Sequence, residues 1–155
     1  PVALWAYTTS VWASIHKSWS SWRGYPTVTT TVGASGTQTL TQRLFFRGLD
    51  RDRVVALGDF GRQASITDSL GTTITDHRAL MGQVREQITY DAGAPIGKTL
   101  SDRAVTATEG GALPSWQTPA ERVAYLVRPA GTEARTKIAD GSWRVTRTEP
   151  SYDST

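Results

Sequence analysis

EARTKIADGSWRVTRT, residues Glu133–Thr148, sets Ala139-Asp140-Gly141 between two alternating runs, Glu133 to Ile138 and Ser142 to Thr148. Alternation is the two-residue period of a strand, and Asp-Gly supplies the positive φ that a tight connection needs, so the stretch predicts a β-hairpin. Upstream, Gln63 to Asp68 and Thr72 to Asp76 flank Ser69-Leu70-Gly71 in the same way. A second hairpin is expected there, and with it an all-β chain.

Threonine usage agrees. It recurs in TVTTTV (27–32), TQTLTQ (37–42), GTTIT (71–75) and AVTAT (104–108), and β-branched side chains favour the pleated surface over a helix. Between Thr39 and Phe46, Leu40, Gln42, Leu44 and Phe46 fall on one face, with Thr39, Thr41, Arg43 and Phe45 on the other. That is a half-buried strand. Val84 to Tyr90 alternates likewise. Asp76 to Met81 has the makings of one helical turn with Asp76 as its cap and Gly82 as its stop. Thr118-Pro119-Ala120-Glu121 has capping-box spacing, but Val123, Tyr125 and Val127 alternate and Pro129 ends the run too soon for a stable helix, which favours strand. Ala92-Gly93-Ala94-Pro95 and Glu109 to Pro119 read as loops.

The chain has 155 residues, 17 basic and 14 acidic side chains, a net charge of +3 and no cysteine. One domain, or a piece of a larger one, fits that length. Opposite charges interleave, as in Arg51-Asp52-Arg53 and Arg85-Glu86. No positive face is evident, and a basic pI alone does not point to nucleic acid. Without cysteine, neither a disulfide framework nor a thiolate metal site is possible. No apolar run is long enough for a membrane-spanning helix.

Motifs that suggest chemistry fail on context. Asp59-Phe60-Gly61 matches the magnesium-binding triplet of kinases, yet the glycine-rich loop, strand lysine and catalytic loop that must precede it are missing. His16 and His77 have no second ligand at metal spacing; they read as an interfacial and a surface histidine. Asp50 and Asp52 lack the remaining ligands of a calcium loop, and Arg51 and Arg53 are their expected partners. Ser10, Ser35 and Ser65 are in no nucleophile elbow. The reading is of a non-enzyme with no cofactor and no metal.

Trp5, Trp12 and Trp19 recur every seven residues, followed by Trp22 and Tyr25. The Thr, Ser and Val between them do not suit a coiled coil. Such aromatics pack a sheet face, or stack on sugar rings if exposed; packing is favoured. Residues 1–25 form an aromatic-rich lead-in and 26–155 a series of hairpins.

Three segments line up as a repeat. One carries Gly61-Arg62, a strand, Asp68 and Gly71; the next carries Tyr90-Asp91 before a turn and a strand; the third carries the Asp140-Gly141 hairpin and then Tyr152-Asp153. Self-similarity at 20 to 30 residues marks an array whose units bury their faces against neighbours. The order RGLDRDR (47–53), ITDSLGTTITDH (66–77), ITYD (88–91), VRPAGTEARTKIADGSWRVT (127–146) and YDST (152–155) resembles the Rhs, or YD-repeat, proteins. In particular it looks like the long exported Rhs-type polymorphic toxins of actinobacteria, over about Trp22 to Thr155. Phe60 stands where the family has tyrosine, and Tyr90-Asp91 is not followed by Gly-Arg.

The resemblance implies a β-sheet strip of hairpins forming part of a hollow shell around a C-terminal toxic domain. Its partners would be neighbouring repeats of the same polypeptide and the enclosed toxin, at a secreted or cell-surface location. No catalytic residue carries over. Both ends read as cut, so the chain is expected to be a stretch of a longer polypeptide. The competing reading is a cell-surface adhesin or carbohydrate-binding β-repeat module that uses Trp5 to Tyr25.

Overall fold

Both expected hairpins form, and they turn in the same way. Gly71 N–H donates to Asp68 O (3.0 Å) while Asp68 N–H donates to Thr72 O (3.1 Å); Gly141 N–H donates to Ile138 O (2.9 Å) while Ile138 N–H donates to Ser142 O (3.0 Å). Each glycine stands at φ +85°. This is the three-residue loop with a left-handed glycine closing the turn.

The computed structural model describes residues 5–7, 19–52, 61–108 and 124–153. Its strands are β1 (Trp5–Tyr7), β2 (Trp19–Trp22), β3 (Thr27–Val32), β4 (Thr39–Phe45), β5 (Ser65–Thr67), β6 (Thr73–Thr75), β7 (Val84–Asp91), β8 (Ala94–Thr108), β9 (Ala124–Lys137) and β10 (Trp143–Thr148). Among the described residues there is no α-helix, and the protein is all-β. A 3-10 turn spans Arg78–Leu80.

Six strands form one antiparallel sheet in the order β10-β9-β8-β7-β4-β3, and β1-β2 and β5-β6 are separate two-stranded ribbons. Chain order and sheet order therefore agree, apart from the excursion 46–83 between β4 and β7 that carries the β5-β6 hairpin. Register places Thr27, Leu44, Glu86, Leu100, Glu133 and Arg147 in one row across the six strands. The next-but-one row on that face includes Gln42, Ile88 and Lys98. The opposite face carries Thr30, Thr41 and Thr89 side by side.

The excursion covers the Leu44 face. Phe46, Ile66 and Leu80 are buried together there, with Leu44, Ile74, Val105 and Val127 packed against them. Burying apolar area between hairpin and sheet is what holds such a layer. The strand expected at Thr39 to Phe46 is found, with Phe46 just beyond β4 and buried.

Three local expectations are corrected. Ala92 to Pro95 is not a loop: Ala92 (φ 45°) and Gly93 (φ 80°) make a two-residue turn, and Ala94 already pairs with Asp91. Positive φ at both positions matches the twist of the flanking strands. Pro129 does not end its run; β9 continues through it. It lies opposite Arg103, where a register shift leaves Ala130 unmatched, and a bulge tolerates a residue with no N–H. The helical turn near Asp76 is capped by His77, whose Nδ1 accepts the Ala79 N–H at 3.1 Å. Ser10, Trp12, His16, Arg53, Asp59-Phe60 and Glu109 to Val123 lie outside the described residues.

Candidate functional site

The tip of the β5-β6 hairpin is fastened to the sheet by ion pairs and hydrogen bonds. The two oxygens of Asp68 have separate tasks. Oδ1 accepts the N–H groups of Leu70 and Thr72, both at 3.0 Å, and so shapes the turn. Oδ2 accepts Nε and Nη2 of Arg85 at 3.2 and 2.7 Å. Arg85 reaches onward through Nη1 to Ser101 O (3.1 Å) and to the carboxylate of Asp102.

Register explains how Arg85 and its neighbour Glu86 both point at the hairpin. Leu44 pairs with Glu86 and Phe45 with Val84, which leaves Arg85 as the extra residue of a β-bulge. A bulge turns consecutive side chains toward one face. Arg85 and Glu86 are both buried. Glu86 accepts the Ser69 N–H at 2.9 Å and the Ser69 hydroxyl, and Lys98 Nζ donates to Ser69 Oγ at 2.7 Å.

A cleft of about 230 Å³ lies between this tip and the sheet. Leu44 and Ile88 line it with Thr27 and Gln42 on the sheet side, Thr67 to Ser69 lie above, and Glu86 stands in its wall.

Burial alone would raise the Asp68 carboxyl, but the hydrogen bonds from Arg85, Thr72 and Leu70 outweigh it and hold the group below the ordinary aspartate range. Asp68 is therefore ionised at neutral pH. Ser69, with a cation and a carboxylate on its hydroxyl, has the look of a nucleophile. Its surroundings oppose that role, because the Ser69 and Leu70 N–H groups that could hold an oxyanion are already bonded to Glu86 and Asp68. The arrangement fastens; it does not activate.

A second buried carboxylate organises the excursion. Asp76 is fully buried and accepts the N–H groups of Arg47 (2.7 Å), Gly48 (2.8 Å) and Leu49 (3.4 Å). The adjacent His77 is not a plain surface residue: its ring meets Tyr125 edge-on at 4.7 Å. Burial lowers its pKa, aided by Arg78 and Arg51 and opposed by Asp50.

The residues of the repeat motif are not gathered in one place. Arg62, next to the exposed Gly61, pairs with Asp52 at 3.5 Å. Ala64 N–H donates to Asp50 Oδ1 at 3.3 Å. Asp68 and Gly71 make the hairpin tip. Tyr90 sits on β7 with its hydroxyl 3.4 Å from Gln42 Oε1, and Asp91 closes the two-residue turn. Asp140 accepts the Ser142 N–H at 2.8 Å beside Gly141. Tyr152 donates to Pro129 O at 2.8 Å, with the Arg128 guanidinium 5.3 Å from its ring centre. Asp153 is exposed.

Of the aromatic lead-in, Trp5 is the β-partner of Trp22, and Tyr7 of Trp19. Trp22 and Tyr25 meet edge-on at 5.5 Å, with 47% and 46% of their surface exposed, enough for one ring face to be reached from solvent. Sequence reasoning missed Asp76, Arg85, Glu86, Lys98 and Asp102. The adjacent charges at Arg85-Glu86 inside an alternating strand were the available signal.

Among the described residues, no group of three or more His, Asp or Glu side chains is placed to hold a metal ion, and no helix is long and apolar enough to cross a membrane. The chain matches no family model, no curated protein and no solved structure.

Proposed function

We propose that the chain is a structural segment of an Rhs/YD-repeat shell that encloses a C-terminal toxic domain. The observation that carries this reading is the one-directional meander: each strand of the main sheet from β7 to β10 pairs with its sequence neighbour, and β4 pairs with β3 on the other side. A strip built this way grows by adding hairpins at an edge, as a wall of repeats must. The matching turns at residues 69–71 and 139–141 support a recurring hairpin unit. The edge strand β3 leaves Val28 and Val32 39% and 68% exposed, apolar surface that a neighbouring unit would cover. At the other edge, Arg144 and Arg147 blunt β10 against indiscriminate pairing.

The test is on the natural polypeptide. Electron microscopy should show a hollow particle, and limited proteolysis should leave a C-terminal fragment protected inside it. A natural product of 16.9 kDa that is a stable monomer by light scattering would overturn the reading.

A further inference from the structure

The cleft under the β5-β6 hairpin has a composition that the fastening of the hairpin does not require. At about 230 Å³ it is below the roughly 300–1,000 Å³ of sites for drug-sized ligands, and so takes a single ring. Leu44 and Ile88, diagonal neighbours on β4 and β7, give it an apolar side. Around them stand Thr27, Gln42, Thr67 and Glu86. Tyr90 occupies the Gln42 carbonyl oxygen, which directs the amide N–H groups to other acceptors. Glu86 has about four lone-pair positions, and Ser69 fills two of them.

Charge narrows the ligand. An anion would meet Glu86 in the wall. A cation would find Asp68, the other carboxylate of the lining, already paired with Arg85, and Glu86 and Lys98 both bonded to Ser69, so it gains little from the wall. A neutral ring with C–H groups on one face and hydroxyls around its edge matches both the apolar side and the mixed donors and acceptors. We propose that this cleft is a recognition site for one neutral sugar residue, with Leu44 and Ile88 against the ring and Gln42, Thr27, Thr67 and Glu86 bonding its hydroxyls. The assignment is independent of the shell role, since it uses only residues of the hairpin tip and the sheet beneath it.

The experiment uses the whole chain, titrated with methyl glucoside, methyl galactoside, methyl mannoside and N-acetylglucosamine, followed by amide chemical shifts. At least one should bind with a Kd on the order of 1 mM, the range open to a ligand of about a dozen heavy atoms. The largest shifts should fall at Thr67 and Ile88. Gln42→Leu should weaken binding about three- to tenfold, the effect of one lost neutral hydrogen bond. Thr67→Trp, at an exposed position of β5, should abolish it while circular dichroism shows the fold intact. A bead-bound oligosaccharide with the same terminal residue separates a glycan end from a free sugar: retention on the beads identifies the end, and binding of the soluble glycoside alone identifies the free sugar, and both support the site. No shift at these amides up to about 50 mM ligand, shifts confined to Trp22 and Tyr25, tighter binding of glucosamine or glucuronate than of their neutral counterparts, or an unchanged Kd in Thr67→Trp would each overturn the assignment.

Discussion

Replacing Arg85 by methionine tests the fastening of the hairpin most directly. Arg85 is 4% exposed, and its guanidinium supplies both bonds to Asp68 Oδ2, one to Ser101 O and one to Asp102. Without it, a buried carboxylate keeps its turn bonds through Oδ1 but loses both donors and the cation at Oδ2. Breaking a buried ion pair from one side costs about 3–5 kcal/mol, which for a domain of this size lowers Tm by roughly 6–20 °C. Asp68→Asn in the same chain should return much of that loss, because an amide retains the Oδ1 acceptor for Leu70 and Thr72 without a charge. The assay is thermal and urea unfolding of the wild type, both single variants and the double variant. Amide exchange should show residues 65–75 opening first in Arg85→Met. A loss below about 1 kcal/mol, or a double variant no more stable than Arg85→Met alone, would refute the coupling.

Other perturbations separate the remaining contributions. Asp76→Ala leaves three backbone N–H groups without an acceptor and should cost at least about 3 kcal/mol in urea unfolding; Asp76→Asn, which retains the Oδ1 bonds to Arg47 and Gly48, should cost about a third of that. Gly48→Ala should exceed about 2 kcal/mol, since at φ +68° its Cβ meets Arg78 Cα and O at 3.0 Å, whereas Gly71→Ala, with open space around it, should cost only about 1 kcal/mol. Stability should fall in acid in two stages. The folded pKa of His77 lies below its ordinary 6.5, so the folded state binds fewer protons and loses stability as pH drops from 6.5 through that lower value. Asp68 lies below its ordinary 3.8, so its contribution is full above 3.8 and is lost as pH falls further. Urea midpoints from pH 8 to 2 check both stages, and the Arg85→Met, Asp68→Asn pair should flatten only the lower one.

What could be read from the sequence was local. Gly71 and Gly141 announce their turns because a left-handed position within a few residues of two alternating runs is a complete signal. The β7-β8 connection was expected after Asp91 but read as a four-residue loop, because Ala92 adopts positive φ without the Asn or Asp that usually marks a two-residue turn. The partners of the buried carboxylates were missed for a different reason: Asp76 serves N–H groups of residues 47–49, and Asp68 reaches Arg85 through a bulge. No pattern of composition or period encodes a partner that far along the chain. Arg62 reaches Asp52 from across the loop, a pairing that proximity in sequence does not suggest. The aromatic spacing proved compatible with paired strands at Trp5–Tyr7 and Trp19–Trp22, a setting that a seven-residue count alone does not distinguish from packing of another kind.

The placement of β4 against β7 shows why these polar contacts matter more for register than for stability. Closing the excursion 46–83 costs roughly 3 kcal/mol by the logarithm of its length, before its constant is added. The buried Phe46, Ile66 and Leu80 offset that, and an apolar layer alone would tolerate several alignments of the two strands. A slip of one residue, however, exchanges the faces of every side chain on β7. It would carry Glu86 away from Ser69 and Arg85 away from Asp68, leaving a buried carboxylate without its cation at a cost of several kcal/mol. Only the alignment with its bulge at Arg85 sends both charged side chains to the hairpin tip. Because β8, β9 and β10 each pair in turn from β7, that single alignment fixes the register of everything that follows it in the strip.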